Sequence, residues 1–429
     1  MKSNQRIQRF CKEQFIQANC QFVVKLGNDY SIHAFDPDLS VDWNSIEEIR
    51  FNSLTSETVC PICLDTPIAA KMTKCGHIYC WACILHYMSL SDHKWRKCPI
   101  CFDAIRSDDL KSVSSLAKID FKVGDEIPLC LMKRKKGCII ATPNNCENNN
   151  NDVYKFKHLD DNLSNNCFQK ILVASSKQVL HDIIDRERNQ LVYKINEEKD
   201  QPEVCFLENA LQLLDEREKL LLENEEQLND LENVNVHDVE KSDNEKDSPK
   251  EEYYYFYQAE DGQHIYLHSL NVRMLCREYG SLEYCPLKIK AKIVGMEWDS
   301  MSDQLRKRLR YLQHLPLTCE FRIVELMMEA PLLSIETINE FTNEVSSRRK
   351  IRNKKQREEQ KRERFIQVEE NKRIYGIYPL PKYQLNNTKQ FPSCHVNKEG
   401  SILLEESTDG SIEELNDVIE RNSLDNSVN

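Results

Sequence analysis

The sequence predicts an α+β chain: a small cross-brace zinc domain, a second mixed α/β domain with an inserted helical arm, and a disordered tail. Three observations predict it. Eight Cys and His residues fall at metal-ligand spacing between positions 60 and 101, alternating apolar runs flank a long helix-periodic stretch, and polar, charge-rich segments separate these blocks. The chain has 429 residues, enough for two or three compact domains, and its 40% apolar and 30% charged residues describe a soluble, mixed chain with a real core. The N-terminus lacks the apolar core of a signal peptide, and no stretch approaches about 18 apolar residues, so the expected location is inside the cell with no membrane contact. Eighteen cysteines in such a chain point to metal rather than disulfides. The dispersed ones, such as Cys130, Cys167 and Cys319, read as small buried hydrophobes or free surface thiols. A net charge of −12 excludes a chain that coats nucleic acid along its length; any such contact must be local.

Residues 1–55 read as a polar lead-in with a small β element, in which Phe22, Val24, Tyr30 and Ile32 alternate as in a hairpin turned at Gly27-Asn28. The metal cluster occupies 56–106. Residues 107–143 read as strands of the second domain, two of them around the basic turn Lys133 to Gly137, and 144–167 as an Asn-rich linker with no means of forming a core. A helical arm is expected over 168–236, where Leu207, Leu214, Leu221 and Leu228 recur every seven residues. The companion seam holds Leu211 but then Glu218 and Glu225, which favours an intramolecular helical hairpin over a dimeric zipper. After an acidic linker at 237–252, the pattern over 253–330 reads strand, turn at Asp261-Gly262, strand, helix, strand, helix, strand. The strands at 121–142 are expected to complete its sheet, with the arm inserted between. A charged helix over 334–375 and a disordered tail over 376–429 close the chain.

The eight ligands are Cys60, Cys63, Cys75, His77, Cys80, Cys83, Cys98 and Cys101, separated by two, eleven, one, two, two, fourteen and two residues. Zinc takes four tetrahedral S or N ligands, and a Cys-x-x-Cys step places two thiolates on one ion with little strain. The interleaved arrangement gives one zinc Cys60, Cys63, Cys80 and Cys83 and the other Cys75, His77, Cys98 and Cys101. Both ions are then filled by protein ligands, which makes them structural staples for a segment too small to fold alone and disfavours hydrolytic metal catalysis.

Pro61-Ile62 inside the first Cys pair, the apolar helix Ile84 to Leu90, and Pro99-Ile100 inside the last pair resemble the RING family. In that family the corresponding positions form a shallow apolar groove that grips a ubiquitin-conjugating enzyme. The resemblance implies that role for Ile62, Tyr87 and Pro99, with Trp95 extending the groove; ordinary packing over zinc is the alternative for each. It also implies a protein that supplies no nucleophile and works by orientation and proximity. Many active RINGs carry a basic residue just after the last ligand, where this chain has Phe102, so limited, substrate-directed modification is expected rather than chain building.

The likeness extends further. The stretches FIQANCQFVV, VGDEIPLCLMKRKKG, YFYQAEDGQHIYLHSLNVRMLCREYGSLE and YLQHLPLTCEFRIVEL resemble the RING finger protein 10 family, which includes the yeast Mag2-like RING-type ubiquitin ligases. That resemblance implies monoubiquitin transfer to small-subunit (40S) ribosomal proteins of the uS3 and uS5 type when translation stalls, in the cytoplasm and also in the nucleus if the transcriptional roles of animal members apply. A non-enzymatic zinc-stabilised adaptor or transcriptional cofactor is the competing class. A DNA-reading finger is disfavoured, because Ile84 to Leu90 lacks the side chains that read base edges.

A last feature is local charge. Ten Lys or Arg residues against three Glu fall between Arg348 and Arg364. Arg348, Arg349, Arg352, Lys354, Lys355, Arg357, Lys361 and Arg362 form a stripe expected to dock on ribosomal RNA or another polyanion, with a solvated helix or a nuclear-import signal as the other readings.

Overall fold

The computed structural model describes residues 12–53, 58–145, 156–159, 166–199, 201–232, 253–374, 395–396 and 402–403. None of the described helices is long and apolar enough to cross a membrane.

The N-terminal part is built on a six-stranded sheet. A short helix α1 (Lys12–Asn19) leads into β1 (Cys20–Lys25), which pairs antiparallel with β2 (Ile46–Ser53), Phe22 opposite Ile49. Next come two-residue strands β3 (Lys71–Met72) and β4 (Ile78–Tyr79) from within the metal cluster, then β7 (Lys111–Ala117) and β10 (Ile171–Ala174), giving the order β10-β1-β2-β7-β3-β4. β1 is apolar on both faces because both are covered. Phe22 and Val24 pack with Ile49, Val113 and Ile171, while Val23 packs with Leu172, Val179 and Ile183.

Several sequence expectations change here. The hairpin at Gly27-Asn28 does not form. Tyr30 turns inward and donates its hydroxyl to the Lys25 carbonyl (2.9 Å), the chain enters a 3-10 turn at Ser31–Ala34, and Ile32 is left exposed. The apolar alternation there reflects one buried Tyr and one exposed Ile, not a strand. The lead-in is no separate β element, since β1 and β2 are central to a sheet that also takes β7 from the 107–143 stretch and β10 from the stretch read as helical arm. The 144–167 linker is not wholly coreless either: Phe156 and Leu159 are buried, and His158 bridges to Val173.

The second sheet curls into a ring. β8 (Glu126–Lys135) pairs with β11 (Tyr253–Ala259) and with β13 (Lys288–Ser300); β13 pairs with β14 (Glu320–Leu326), β14 with β12 (Ile265–Leu267), and β12 with β11. Each of these five strands therefore pairs with two others, and β9 (Ala141–Pro143) adds a flap to β8 across a turn at Gly137, whose φ is +81°. Leu129, Leu131, Tyr257 and Val324 pack on one face with Leu270, Met274 and Leu275 of α5 (Ser269–Tyr279). Met132, Phe256, Tyr266 and Phe321 pack on the other with Leu312 and Leu315, which follow the short helix α6 (Asp303–Arg308). The helix read at 302–313 thus breaks into α6 and a 3-10 turn at Arg310–Leu312.

Between β9 and β11 the chain leaves this sheet to form β10 and the arm, α3 (Asp185–Glu197) and α4 (Val204–Glu232), then returns. Gly262 holds a close approach between the two parts. Its φ is +82°, and a Cβ there would lie 2.3 Å from the Cys167 carbonyl oxygen.

The last long helix, α7 (Ile335–Ile374), spans the boundary at Arg348 between two compact units. Its first part is tied down by Arg277 to Glu340 (2.8 Å), Arg273 to Glu344, and Arg348 to Glu325 (2.8 Å). In the second unit, residues 395–396 pair with 402–403 inside the segment expected to be a disordered tail. The acidic linker at 237–252 and the rest of the tail lie outside the described residues.

Candidate metal centre and its two faces

The interleaved ligand scheme is what the fold assembles. Cys60, Cys63, Cys80 and Cys83 form one group and Cys75, His77, Cys98 and Cys101 the other, the ligand atoms of each lying within 4.8 Å of one another. On one tetrahedral zinc two thiolates sit about 3.8 Å apart. Cys63 and Cys80 Sγ are 3.6 Å apart, and His77 Nδ1 is 3.4 Å from both Cys75 and Cys98 Sγ, so the donor sets fit two zinc ions. Zinc at these positions supplies cross-links and leaves no open coordination site.

Local sequence builds the first and last Cys-x-x-Cys knuckles alike. The Cys60 amide donates to the Asp65 carbonyl and the Leu64 amide to the Cys60 carbonyl (both 2.8 Å); in the last knuckle the Cys98 amide donates to Asp103 (2.7 Å) and the Phe102 amide to Cys98 (3.0 Å). The residue after each pair is left-handed, Leu64 at φ 62° and Phe102 at φ 64°, a conformation costly for a side chain of that size. Backbone amides of Ile68 and Cys80 point at the Cys80 and Cys60 sulfurs (3.4 Å), and the Tyr79 hydroxyl meets Cys98 Sγ at 3.0 Å. These contacts steady the sulfurs before metal is considered.

One face of this domain is covered. Cys80 precedes α2 (Trp81–Ser89), whose Trp81, Ile84 and Leu85 pack with Ile184, Leu191, Leu207, Ala210 and Leu214. The heptad leucines 207 and 214 are therefore spent on the metal domain within the same chain, Leu221 is a partial contact, and the side chain of Leu228 lies outside the described residues. His86 stacks on Phe206 at 4.3 Å, and the Ala69 amide donates to Gln190 (3.0 Å).

At the heart of this contact lies a buried ion pair, Lys71 to Glu187 at 2.7 Å, with Lys71 also donating to Ser112 and lying 3.8 Å over the Trp81 ring. Burial pulls the Lys71 amine down to about 8, against the opposing pull of Glu187. Nearby, Arg50 and Arg186 both reach Glu48 (2.7 and 2.6 Å), while Arg217 reaches Glu47. Burial raises the Glu48 carboxyl, but the two guanidinium groups outweigh it and hold it below 4.5. Sequence reasoning missed this network, because polar residues far apart in the chain carry no local signal that they will be buried.

The other face is open. Ile62 is 38% exposed and Trp95, on β5 (Trp95–Lys97), 45%; Pro99 is exposed as well. β5 pairs with β6 (Ala104–Arg106), Trp95 opposite Arg106. Tyr87 differs from these three. It is partly buried, its hydroxyl donates to the Lys97 carbonyl (2.8 Å), and the Arg96 guanidinium lies 4.1 Å over its ring, so it braces the loop as well as lining it. Leu64, Ile100 and Phe102 are further exposed apolar residues on the same knuckles that sequence reading did not single out as contacts. Their signal was available, as neighbours of the ligands with nothing local to cover them.

The basic stripe divides. Arg348 is engaged by Glu325 and Glu297 and is withdrawn from the polyanion set. Arg349, Lys354, Lys355, Arg357, Lys361 and Arg362 are exposed, Arg352 is partly buried, and Lys354 approaches Glu358 at 3.9 Å.

Residues 60–101 match the C3HC4-type zinc finger (RING finger). Over 93% of its length the chain is 25% identical to an uncharacterized RING finger protein of Schizosaccharomyces pombe, covering 66% of that relative. It is 24% identical over 82% of its length to E3 ubiquitin-protein ligase MAG2 of Saccharomyces cerevisiae, covering 56% of it. The tripartite motif-containing protein 5 of Saimiri sciureus is 36% identical, but over only 16% of this chain and 14% of the relative. The chain thus spans somewhat over half to about two thirds of the two relatives that it matches at length. No solved structure matches it. Residues 60–101 form a RING domain, and the chain around it is similar to MAG2 and the fission-yeast RING finger protein over most of its own length.

Proposed function

We propose that this chain is a RING-type E3 ubiquitin ligase, whose open RING face binds a ubiquitin-conjugating enzyme and directs ubiquitin from it to substrate lysines. The observation that carries the reading is the exposure of Ile62 and Pro99 on zinc knuckles whose metal sites are already complete, with Trp95 exposed on the neighbouring β5. Exposed apolar residues held rigidly by two metal sites suit a partner surface, not a reaction centre. The similarity to MAG2 supports the same activity. No nucleophile is required of the chain: the conjugating enzyme carries the thioester, and the RING contributes orientation and proximity.

Small-subunit ribosomal proteins in the cytoplasm are the acceptors implied by the family resemblance, and the exposed Arg349, Lys354, Lys355, Arg357, Lys361 and Arg362 support docking on ribosomal RNA. A non-enzymatic adaptor is the second reading, favoured by Phe102 at the position after the last ligand.

The test is ubiquitin discharge from a panel of conjugating enzymes, with and without purified ribosomes. Ile62→Ala is expected to cut transfer about tenfold or more while zinc content and melting stay unchanged. Unaltered transfer in Ile62→Ala, beside its abolition in Cys98→Ser, places the partner surface elsewhere. No transfer with any enzyme of the panel favours the adaptor.

A further inference from the structure

A cleft of about 80 Å³ opens between β1, the 167–170 segment before β10 and the loop segments 262–264 and 314–316 of the second sheet. Among the described residues none that lines it is Asp or Glu, in a chain whose net charge is −12. Three lining residues are cationic. Arg50 is neutralised by Glu48, but neither Lys118 nor Lys170 has a carboxylate partner among the described residues. Their ammonium groups are held only by carbonyls, Lys118 by Asp261 and Lys170 by Cys20, with the Phe22 ring 5.4 Å from the latter.

Two lining residues, His264 and His314, are joined through the fully buried Tyr266 behind them: His264 Nδ1 lies 3.3 Å from the Tyr266 hydroxyl, which lies 3.4 Å from His314 Nε2. His314 Nδ1 is buried with no hydrogen-bond partner. Burial, reinforced by Lys170 and Lys118, lowers His264 to about 4, so its ring is neutral at pH 7 and can donate without adding charge. Burial also brings the Lys170 amine down to about 8, which leaves it mostly protonated at pH 7.

Partly desolvated ammonium groups without counter-ions are costly unless something negative meets them. We propose that this cleft binds the phosphate group of a small phosphorylated molecule, with Lys170 and Lys118 as its charge partners and His264 and His314, braced by Tyr266 behind them, as hydrogen-bond donors. Two cations and several neutral donors suit a dianion with many acceptor oxygens better than a halide. Ile140, Phe168 and Leu315 are apolar lining residues against which part of an organic remainder can lie, the enclosed space itself being of phosphate size. The proposal does not depend on the ubiquitin reading.

The test uses the zinc-loaded full chain and calorimetric titration at constant ionic strength with inorganic phosphate, adenosine monophosphate and adenosine. Saturable one-site binding of phosphate and the monophosphate, none of adenosine, is expected. Lys118→Met and Lys170→Met should each weaken it tenfold or more, whereas Lys290→Met, exposed and paired with Glu126, leaves it unchanged. Tighter binding of the monophosphate than of phosphate supports a nucleotide-like ligand, and equal binding supports free phosphate. Absence of saturable binding to wild type, or equal affinity in Lys118→Met and Lys290→Met, overturns the proposal. Because Lys118 is partly exposed, its variant gives the reading even if Lys170→Met fails to fold.

Discussion

On one side of the RING, α2 sets Trp81, Ile84 and Leu85 against the arm's Leu207, Ala210 and Leu214; on the other, Ile62, Trp95, Ile100 and Phe102 meet solvent. The same contrast recurs along α7, where Arg348 is pinned by two glutamates while Arg349, Lys354, Lys355, Arg357, Lys361 and Arg362 are exposed. Covered apolar and paired groups fix where an element points, each buried aliphatic side chain contributing about 1.5–3 kcal/mol. Open ones contribute almost nothing to folding and are free to serve contact. A zinc domain too small to fold without its metal is here oriented by the remainder of the chain.

The sharpest way to break the comparison is to remove the metal frame that both faces share. Cys75→Ser should lower zinc from two ions per chain to one or none and open the RING to protease, since three ligands cannot close the second site. Elemental analysis showing two ions in the folded variant would defeat the cross-brace.

A smaller blow falls on the covered face alone. Glu187→Gln leaves Lys71 buried without its anion and should cost about 3–5 kcal/mol in urea unfolding, while Lys71→Met with Glu187→Leu regains most of it. A loss below about 1 kcal/mol for the single variant means that the pair is not a determinant of the contact.

Acid sharpens the same point. Glu48 is held below its ordinary 4.5, so the stability it contributes is complete above that value and is lost as pH falls through its lower folded-state pKa. The gap in urea midpoint between wild type and Glu48→Gln should therefore be largest near pH 7 and narrow below pH 4.5; loss of zinc in acid affects both proteins and drops out of the difference. A gap independent of pH would show that the Arg50 and Arg186 contacts do not act through charge.

The smallest effect is expected on the open part of α7. Changing Arg349, Arg352, Lys355 and Arg362 to Glu should reduce ribosome co-sedimentation several-fold at low salt and less at near-physiological salt, whereas Arg348→Ala should leave it unchanged. Equal pelleting of all three proteins under both conditions returns this segment to a solvated helix.

The metal frame was legible in full, since ligand spacing is a local property of the sequence; Ile62, Pro99 and Trp95 were singled out through the RING resemblance, and the structure leaves them exposed. The alternating strands of the second sheet, the Asp261-Gly262 turn and the arm inserted before it were legible for the same reason. What escaped was nonlocal. Ile171–Ala174 is four apolar residues beside a helical pattern, too short for periodicity to separate strand from helix, and its partner β1 lies far earlier in the chain. Tyr30 and Ile32 alternate like strand residues, but only Tyr30 is buried. Lys71 and Glu187 read as surface charges until the arm folds back over the RING.

That β3 of the RING continues the six-stranded sheet gives the molecule a ruler. From β10 at one edge to β4 at the other there are five inter-strand steps, and at about 4.8 Å each they span roughly 24 Å. Hydrogen-bonded strands resist stretching far more than a flexible linker does, so a partner gripped near the β10 edge is held at a set distance from Ile62 and Pro99. A RING on a tether sweeps a volume; one mounted at the end of a sheet keeps to a narrow arc.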